Sequence, residues 1–148
     1  MIGRMNRLSA LDHSASLQAR SVGASLALMM ITIAAGLAIR FAHLGLPASV
    51  VKYGGSALWA VMIYWVCSAA FPPWRPLWSA LLSGVLGTSV EYLKLYNPPW
   101  LDAFRRTLAG IILLGRMFNW RDIVAYWIAI SLAAGLDVAL RRSGPAPR

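Results

Sequence analysis

Acidic residues are nearly missing from this chain: five Asp plus Glu stand against 14 Lys plus Arg, and charged residues of both signs make up only 13% of the 148. Soluble domains carry about 25% charged residues, so this balance excludes an ordinary water-solvated surface. With 59% hydrophobic residues, seven tryptophans and a mean hydropathy of +0.61, the composition predicts an integral membrane protein. Cysteine occurs once, at Cys67, which rules out an intramolecular disulfide and a cysteine-based metal centre. Its neighbours Trp65 and Val66 predict a small buried hydrophobe there. The two histidines, His13 and His43, fall in a tail and a loop, and there is no P-loop or Gly-x-Ser-x-Gly elbow. The residues therefore nominate no metal, no cofactor and no nucleophile, and an enzyme is the weaker expectation.

What the chain has instead is long apolar runs. Four, near 21 to 41, 54 to 71, 77 to 96 and 121 to 140, approach the roughly 20 helical residues that cross a bilayer. Gly45 and Pro47 separate the first two, Pro72-Pro73-Trp74-Arg75-Pro76 the next two, and Asn97-Pro98-Pro99 closes the third. Proline removes a backbone donor and disfavours helix before it, so these boundaries have a physical cause. A fifth stretch, 103 to 118, would reach only about 24 Å as a helix, short of the roughly 30 Å hydrocarbon core. It is expected as a short interfacial or re-entrant helix, N-capped by Asp102, with Arg105 and Arg106 in its first turn and Gly115-Arg116 at its end. A five-span arrangement is the alternative.

The predicted fold is all-α: a bundle of four transmembrane helices plus that short helix, as one multi-pass membrane domain over 21 to 142. A basic tail (1 to 20) precedes it and a flexible tail (143 to 148) follows. The first tail, with Arg4, Arg7 and Arg20, superficially resembles a secretory signal. The apolar run after it is too long and lacks a small-x-small cleavage site, which predicts an uncleaved first anchor. Lys and Arg divide evenly between the two sides of the four-span arrangement, so they do not orient it; the flanks of the first helix weakly favour both termini in the cytoplasm.

Small residues recur every four positions in the third run, as Ser79, Ser83 and Gly87 and as Ala80, Gly84 and Thr88. Such rows let helix backbones approach closely in lipid, and Glu91 continues the first of them, so its carboxylate is expected to face neighbouring helices. Ala125, Ala129, Ala133 and Asp137 form a matching row on the last helix, with Asp122 and Tyr126 one turn apart; Ser56, Ala60, Tyr64 and Ser68 give the second a mildly polar face. Trp74, Trp78, Trp100 and Trp120 lie near run ends, where interfacial belts form.

The charges divide into ordinary and informative ones. Asn119 followed by Asp122 has the spacing of an N-cap and a first-turn acid; Asp137 and Arg141 have that of a solvated pair; Arg40, Arg75, Arg116, Arg141 and Arg142 read as snorkelling anchors. Glu91 is different, because a carboxylate in a membrane helix needs a partner. Lys94, three residues on, is within reach, and Arg105 is the favoured partner because a guanidinium can grip a carboxylate and still present donors to a phosphate.

The stretches KYGGSALWA (52 to 60), VEYLKLYNPPWLDAFR (90 to 105), LAGIILLGRMFNWRD (108 to 122) and the IVAY that follows resemble the bacterial membrane-protein family called domain of unknown function 2809. More distantly, an acidic helix end, an Arg and an Asp opening the last helix are similar to the VanZ-like proteins, which are associated with cell-envelope phenotypes. The family pattern falls on Gly55, Leu58, Trp59, Glu91, Leu95, Tyr96, Trp100, Arg105, Gly110, Leu114, Gly115, Phe118, Trp120, Asp122 and Tyr126, across roughly 36 to 136. The chain departs from it at Ser56, where Asp is usual, and Lys94, where Gln is usual; both changes move the site towards positive charge. The resemblance implies a small multi-pass protein of the bacterial inner membrane and implies no reaction.

Three functions compete on these residues. A lipid-binding protein for an anionic lipid or envelope-precursor (polyprenyl-phosphate) head group would use Arg105, Arg106 and Lys94 for the phosphate, Glu91 and Asp122 to orient the arginines, and Tyr126 as a further member. Anionic lipids are a better partner than nucleic acid, because the arginines sit at the ends of apolar runs rather than in a stripe. The alternatives are a small homo-oligomeric transporter or ion pathway using Glu91 and Asp122, and a purely structural ionic cluster.

Overall fold

A computed structural model describes residues 21–41, 45–115 and 117–142, and all regular secondary structure among them is helical. The expectations for Arg4, Arg7, Arg20, His13, His43, Arg116 and the tail 143–148 lie outside the described residues. Six helices follow in order: α1 (Val22–Phe41), α2 (Ala48–Ala70), α3 (Pro76–Leu93), α4 (Pro99–Arg105), α5 (Leu108–Leu113) and α6 (Trp120–Arg142).

Each boundary has a local cause. Pro47 precedes α2 and its carbonyl accepts from Val50 and Val51 N–H at 2.9 and 3.1 Å, so the helix starts six residues before the expected 54 and takes in Lys52 and Tyr53. Pro76 opens α3 at a first-turn position where its missing N–H is not needed. At its other end α3 stops at Leu93, three residues short of the expected 96, and the turn passes Leu95 and Tyr96 N–H to the carbonyls of Tyr92 and Leu93. Asn119 caps α6 as expected: its Oδ1 accepts from Arg121 N–H at 3.2 Å, and Asp122 lies in the first turn.

The expected helix over 103 to 118 is two helices, neither long enough to span. Pro98, not Asp102, occupies the N-cap of α4, which begins at Pro99 and ends at Arg105. Thr107 then caps α5, its Oγ1 accepting from Gly110 N–H at 3.1 Å. Gly110 makes this break possible, because a Cβ there would sit 2.0 Å from the Phe104 carbonyl oxygen. Gly115 turns the chain again at φ +67°, a conformation that favours glycine.

α2 is the centre of the packing. It contacts α1, α3 and α6, while α3 also packs on α6 and α4 on α5. The predicted small-residue rows are the seams: Ser79, Ser83, Gly87 and Glu91 are buried on α3, as are Ala129, Ala133 and Asp137 on α6 and Ala60, Tyr64 and Ser68 on α2. Trp127 lies against Gly84, where a Cβ would come within 2.5 Å of its ring. Tyr64 and Trp65 meet edge to face, with ring centroids 4.9 Å apart, in a core cluster with Ile130, Ala60, Ala80 and Ala133. Cys67 is buried as expected.

The outer surface is apolar: Ile31, Leu77, Val85, Ile128 and Leu132 are exposed, and so are Trp74, Trp78, Trp100 and Trp120. Exposed apolar surface on this scale marks contact with something other than water. Among the described residues three helices, α1, α2 and α6, are long and apolar enough to cross a membrane; at about 1.5 Å per residue they extend roughly 30 to 35 Å. They suggest a membrane protein. α3 is shorter at 18 residues and less apolar, because its buried face is built from Ser, Gly and Glu91.

Candidate functional site

The charged residues gather at three places. The first is the junction of α3 and α6. Position 91 falls on the buried row of α3, so Glu91 is 0% exposed, and three donors converge on its carboxylate. Lys94 Nζ, one turn along, pairs with Oε2; Tyr126 Oη on α6 donates to the same oxygen at 3.0 Å; Asn119 N–H donates to Oε1 at 2.7 Å. The last contact places the carboxylate at the N-terminus of α6, where the helix dipole favours negative charge. Lys94, and not the favoured Arg105, is thus the cation paired with Glu91. A single carboxylate joins α3, α6 and the loop between α5 and α6.

Beside this junction lies a cleft of about 720 Å³ between α1, α2, the end of α3, Leu113, Leu114, Gly115 and Met117, and the start of α6. Its walls are largely apolar, among them Leu37, Leu58, Trp59, Met62 and Met117. Trp59 packs against Tyr126 with ring centroids 5.5 Å apart, which ties the cleft wall to the Glu91 junction. Three cations line the cleft: Arg40 from the last turn of α1, Lys52 from α2 and Lys94. Gly115 brings the turn against the Lys94 side chain, 3.3 Å from where its Cβ would be. Asp122 also lines the cleft and is 5% exposed, yet its buried Oδ1 has no hydrogen-bond donor among the described residues. Trp59 Nε1 is likewise buried without a partner among the described residues.

The second place is Arg105, which is 5% exposed and turned away from Glu91. Its Nη1 donates to Asn97 Oδ1 at 2.8 Å and to Asp102 Oδ1 at 3.3 Å, and its Nη2 donates to the Leu93 carbonyl at 2.6 Å. The guanidinium thus adds a second donor, beside Tyr96 N–H, to a carbonyl at the C-terminus of α3 and holds α4 to it. Arg106 is exposed beside it, in a small recess shared with Asn97 and Asp102. Of the six nominated residues, the structure brings together Glu91, Lys94, Asp122 and Tyr126 and sets Arg105 and Arg106 apart.

The third place corrects the reading of Asp137 and Arg141 as a solvated pair. Asp137 is 0% and Arg141 8% exposed. Arg141 grips the carboxylate with Nε at 3.1 Å and Nη2 at 3.0 Å, Tyr64 Oη donates to it at 2.7 Å, and Arg141 Nη1 reaches the Trp74 carbonyl at 2.8 Å. Arg141 is therefore no snorkelling anchor but a clasp between α6, α2 and the turn before α3. Arg40, Arg75 and Arg142 are exposed.

Sequence reasoning left Arg40 and Lys52 out of the site. Arg40 was assigned to the head-group surface, and Lys52 was placed before the start of α2; only the early start of that helix puts Lys52 on the cleft. Trp59 and Gly55 did carry a signal, since both fall on the pattern of the resemblance.

Among the described residues, the fold and site define an all-helical protein with membrane-length apolar helices, an ionic junction at one end of the bundle and a cation-lined apolar cleft beside it. No group of three or more His, Cys, Asp or Glu that could hold a metal occurs among them. The chain belongs to the family described as protein of unknown function (DUF2809), whose model matches residues 45–130. That match contains α2, α3, Glu91, Lys94, Arg105, Asp122 and Tyr126. No solved structure matches the chain.

Proposed function

We propose that this is a multi-pass protein of the bacterial inner membrane that binds an amphiphile bearing an anionic phosphate head group, without chemical conversion. The observation that carries the reading is the convergence of Arg40, Lys52 and Lys94 on an apolar cleft of about 720 Å³. Cations at a cleft of this kind attract a phosphate, and its apolar walls accept a chain. Glu91 holds Lys94 by one donor, which leaves the ammonium two further N–H groups. In this reading α3 completes a four-span bundle with α1, α2 and α6, because it packs along both α2 and α6. The paired short helices α4 and α5 then lie at head-group depth, where Trp100 and Trp120 are exposed.

The phosphate site moves from Arg105 and Arg106 to Arg40 and Lys52, since both terminal nitrogens of Arg105 are already engaged. The test is native mass spectrometry of the purified protein with added phosphatidic acid or a polyprenyl monophosphate. Wild type is expected to retain one or both, and Arg40→Gln/Lys52→Gln to lose them with the fold intact; these two side chains are exposed and their removal leaves the core alone. Retention unaffected by the double substitution would overturn the assignment.

A further inference from the structure

We infer that the ligand of the cleft carries a primary ammonium beside its phosphate, as an aminophospholipid does, and that Asp122 receives it. This rests on the phosphate reading of the cleft given above. The other two fully buried carboxylates are well supplied: Glu91 accepts from Lys94, Tyr126 and Asn119, and Asp137 from Arg141 and Tyr64. Asp122, equally well placed in the first turn of α6 and 95% removed from solvent, keeps a buried Oδ1 with no donor among the described residues. A carboxylate oxygen left this way is unfavourable unless something supplies the hydrogen.

Asp122 lines the cleft, and although its Oδ1 is closed off as the side chain stands, a turn of the carboxylate towards the cleft brings it to a donor held there. Asp122 shares that cleft with Lys52 and Lys94, so a phosphate drawn to them comes close to a second negative charge. A phosphate monoester, held by the cations, is held less firmly than it would be without that carboxylate. A head group in which a cationic N–H donor follows the phosphate offsets that loss and fills the vacant acceptor. Trp59 lines the same cleft, and its Nε1 is buried without a partner among the described residues. The cleft therefore sets cations and a carboxylate-bearing residue along one head group.

The test is native mass spectrometry of the full chain in equimolar phosphatidylethanolamine, phosphatidylcholine and phosphatidic acid. Phosphatidylcholine keeps the positive charge but has no N–H, so it isolates the hydrogen bond. Wild type is expected to retain phosphatidylethanolamine about tenfold over phosphatidylcholine, the ratio one charge-assisted hydrogen bond gives. Asp122→Leu should abolish that preference while retention of phosphatidic acid persists or rises. Asp122→Asn, which keeps the side-chain shape, is the second variant and should weaken the preference if the leucine protein does not fold. Equal retention of the two zwitterionic lipids by wild type, with phosphatidic acid still bound, would overturn the ammonium site and leave the phosphate reading standing. Retention of none of the three would overturn both.

Discussion

Replacing Glu91 by glutamine changes the junction of α3 and α6 without changing its size. The carboxylate accepts from an ammonium, a phenol and a backbone amide, and all three donors face a group that is 0% exposed. A hydrogen bond to a charged partner contributes about 1.5–3 kcal/mol and one between neutral groups about 0.5–1.5 kcal/mol. The glutamine carbonyl can keep the Asn119 contact, which falls by about 1 kcal/mol, but its NH₂ then faces two donors, Lys94 and Tyr126. The expected loss is about 3–4 kcal/mol, with Tyr126→Phe, which removes one hydrogen bond to a charged group, costing about 1.5–3 kcal/mol. Because both variants touch the same carboxylate, Glu91→Gln/Tyr126→Phe should fall short of the sum of the single losses. Equilibrium unfolding in mixed detergent micelles, followed by tryptophan emission, measures all four proteins. A Glu91→Gln protein within about 0.5 kcal/mol of wild type, the range of ordinary surface substitutions, would refute the three-donor account.

Other parts of the fold give equally direct expectations. Arg141→Met leaves Asp137 buried without its guanidinium and should destabilise by about 3 kcal/mol, whereas Asp137→Leu/Arg141→Met should recover most of the loss; the same unfolding assay distinguishes them. Arg105→Ala removes the side-chain bonds to the Leu93 carbonyl and Asn97 and loosens α4 from α3, so amide exchange should rise over 97–105 while lipid retention stays at the wild-type level. Gly110→Ala drives a Cβ into the Phe104 carbonyl and should raise exchange through α4 and α5, with α2, α3 and α6 still protected.

Much of the bundle was legible because small residues and prolines act locally. The Ser79, Ser83, Gly87, Glu91 row needs only the helical repeat to become a buried face, and Pro47, Pro76 and Pro98-Pro99 set helix ends by removing donors and restricting φ. The side-chain pairings were less legible, because they depend on where distant carbonyls come to rest. Arg105 chose Leu93 and Asn97 over Glu91 once the 94–98 turn brought those groups to it. Arg141 turned inward because the turn after α2 presents the Trp74 carbonyl to the end of α6. The break at Arg106–Thr107 was hidden for a related reason: Thr107 reads as an ordinary residue of an apolar stretch until Gly110 is seen against the Phe104 backbone. Asp122 was legible as a first-turn acid, and its vacant oxygen only from the packing around it.

The central claim is that the cleft is a ligand site, and Gly55 gives the most direct access to it. Gly55 lines the cleft on α2, and a Cβ built there meets nothing within 4 Å, so a large side chain can enter the empty space without displacing the fold. The measurement is retention of added phospholipid by Gly55→Phe and wild type in native mass spectrometry, with the unfolding midpoint recorded for both. The account predicts that lipid is lost while stability is unchanged or slightly raised, since replacing a helical glycine also favours the helix. Full retention of lipid by a folded Gly55→Phe protein would contradict it.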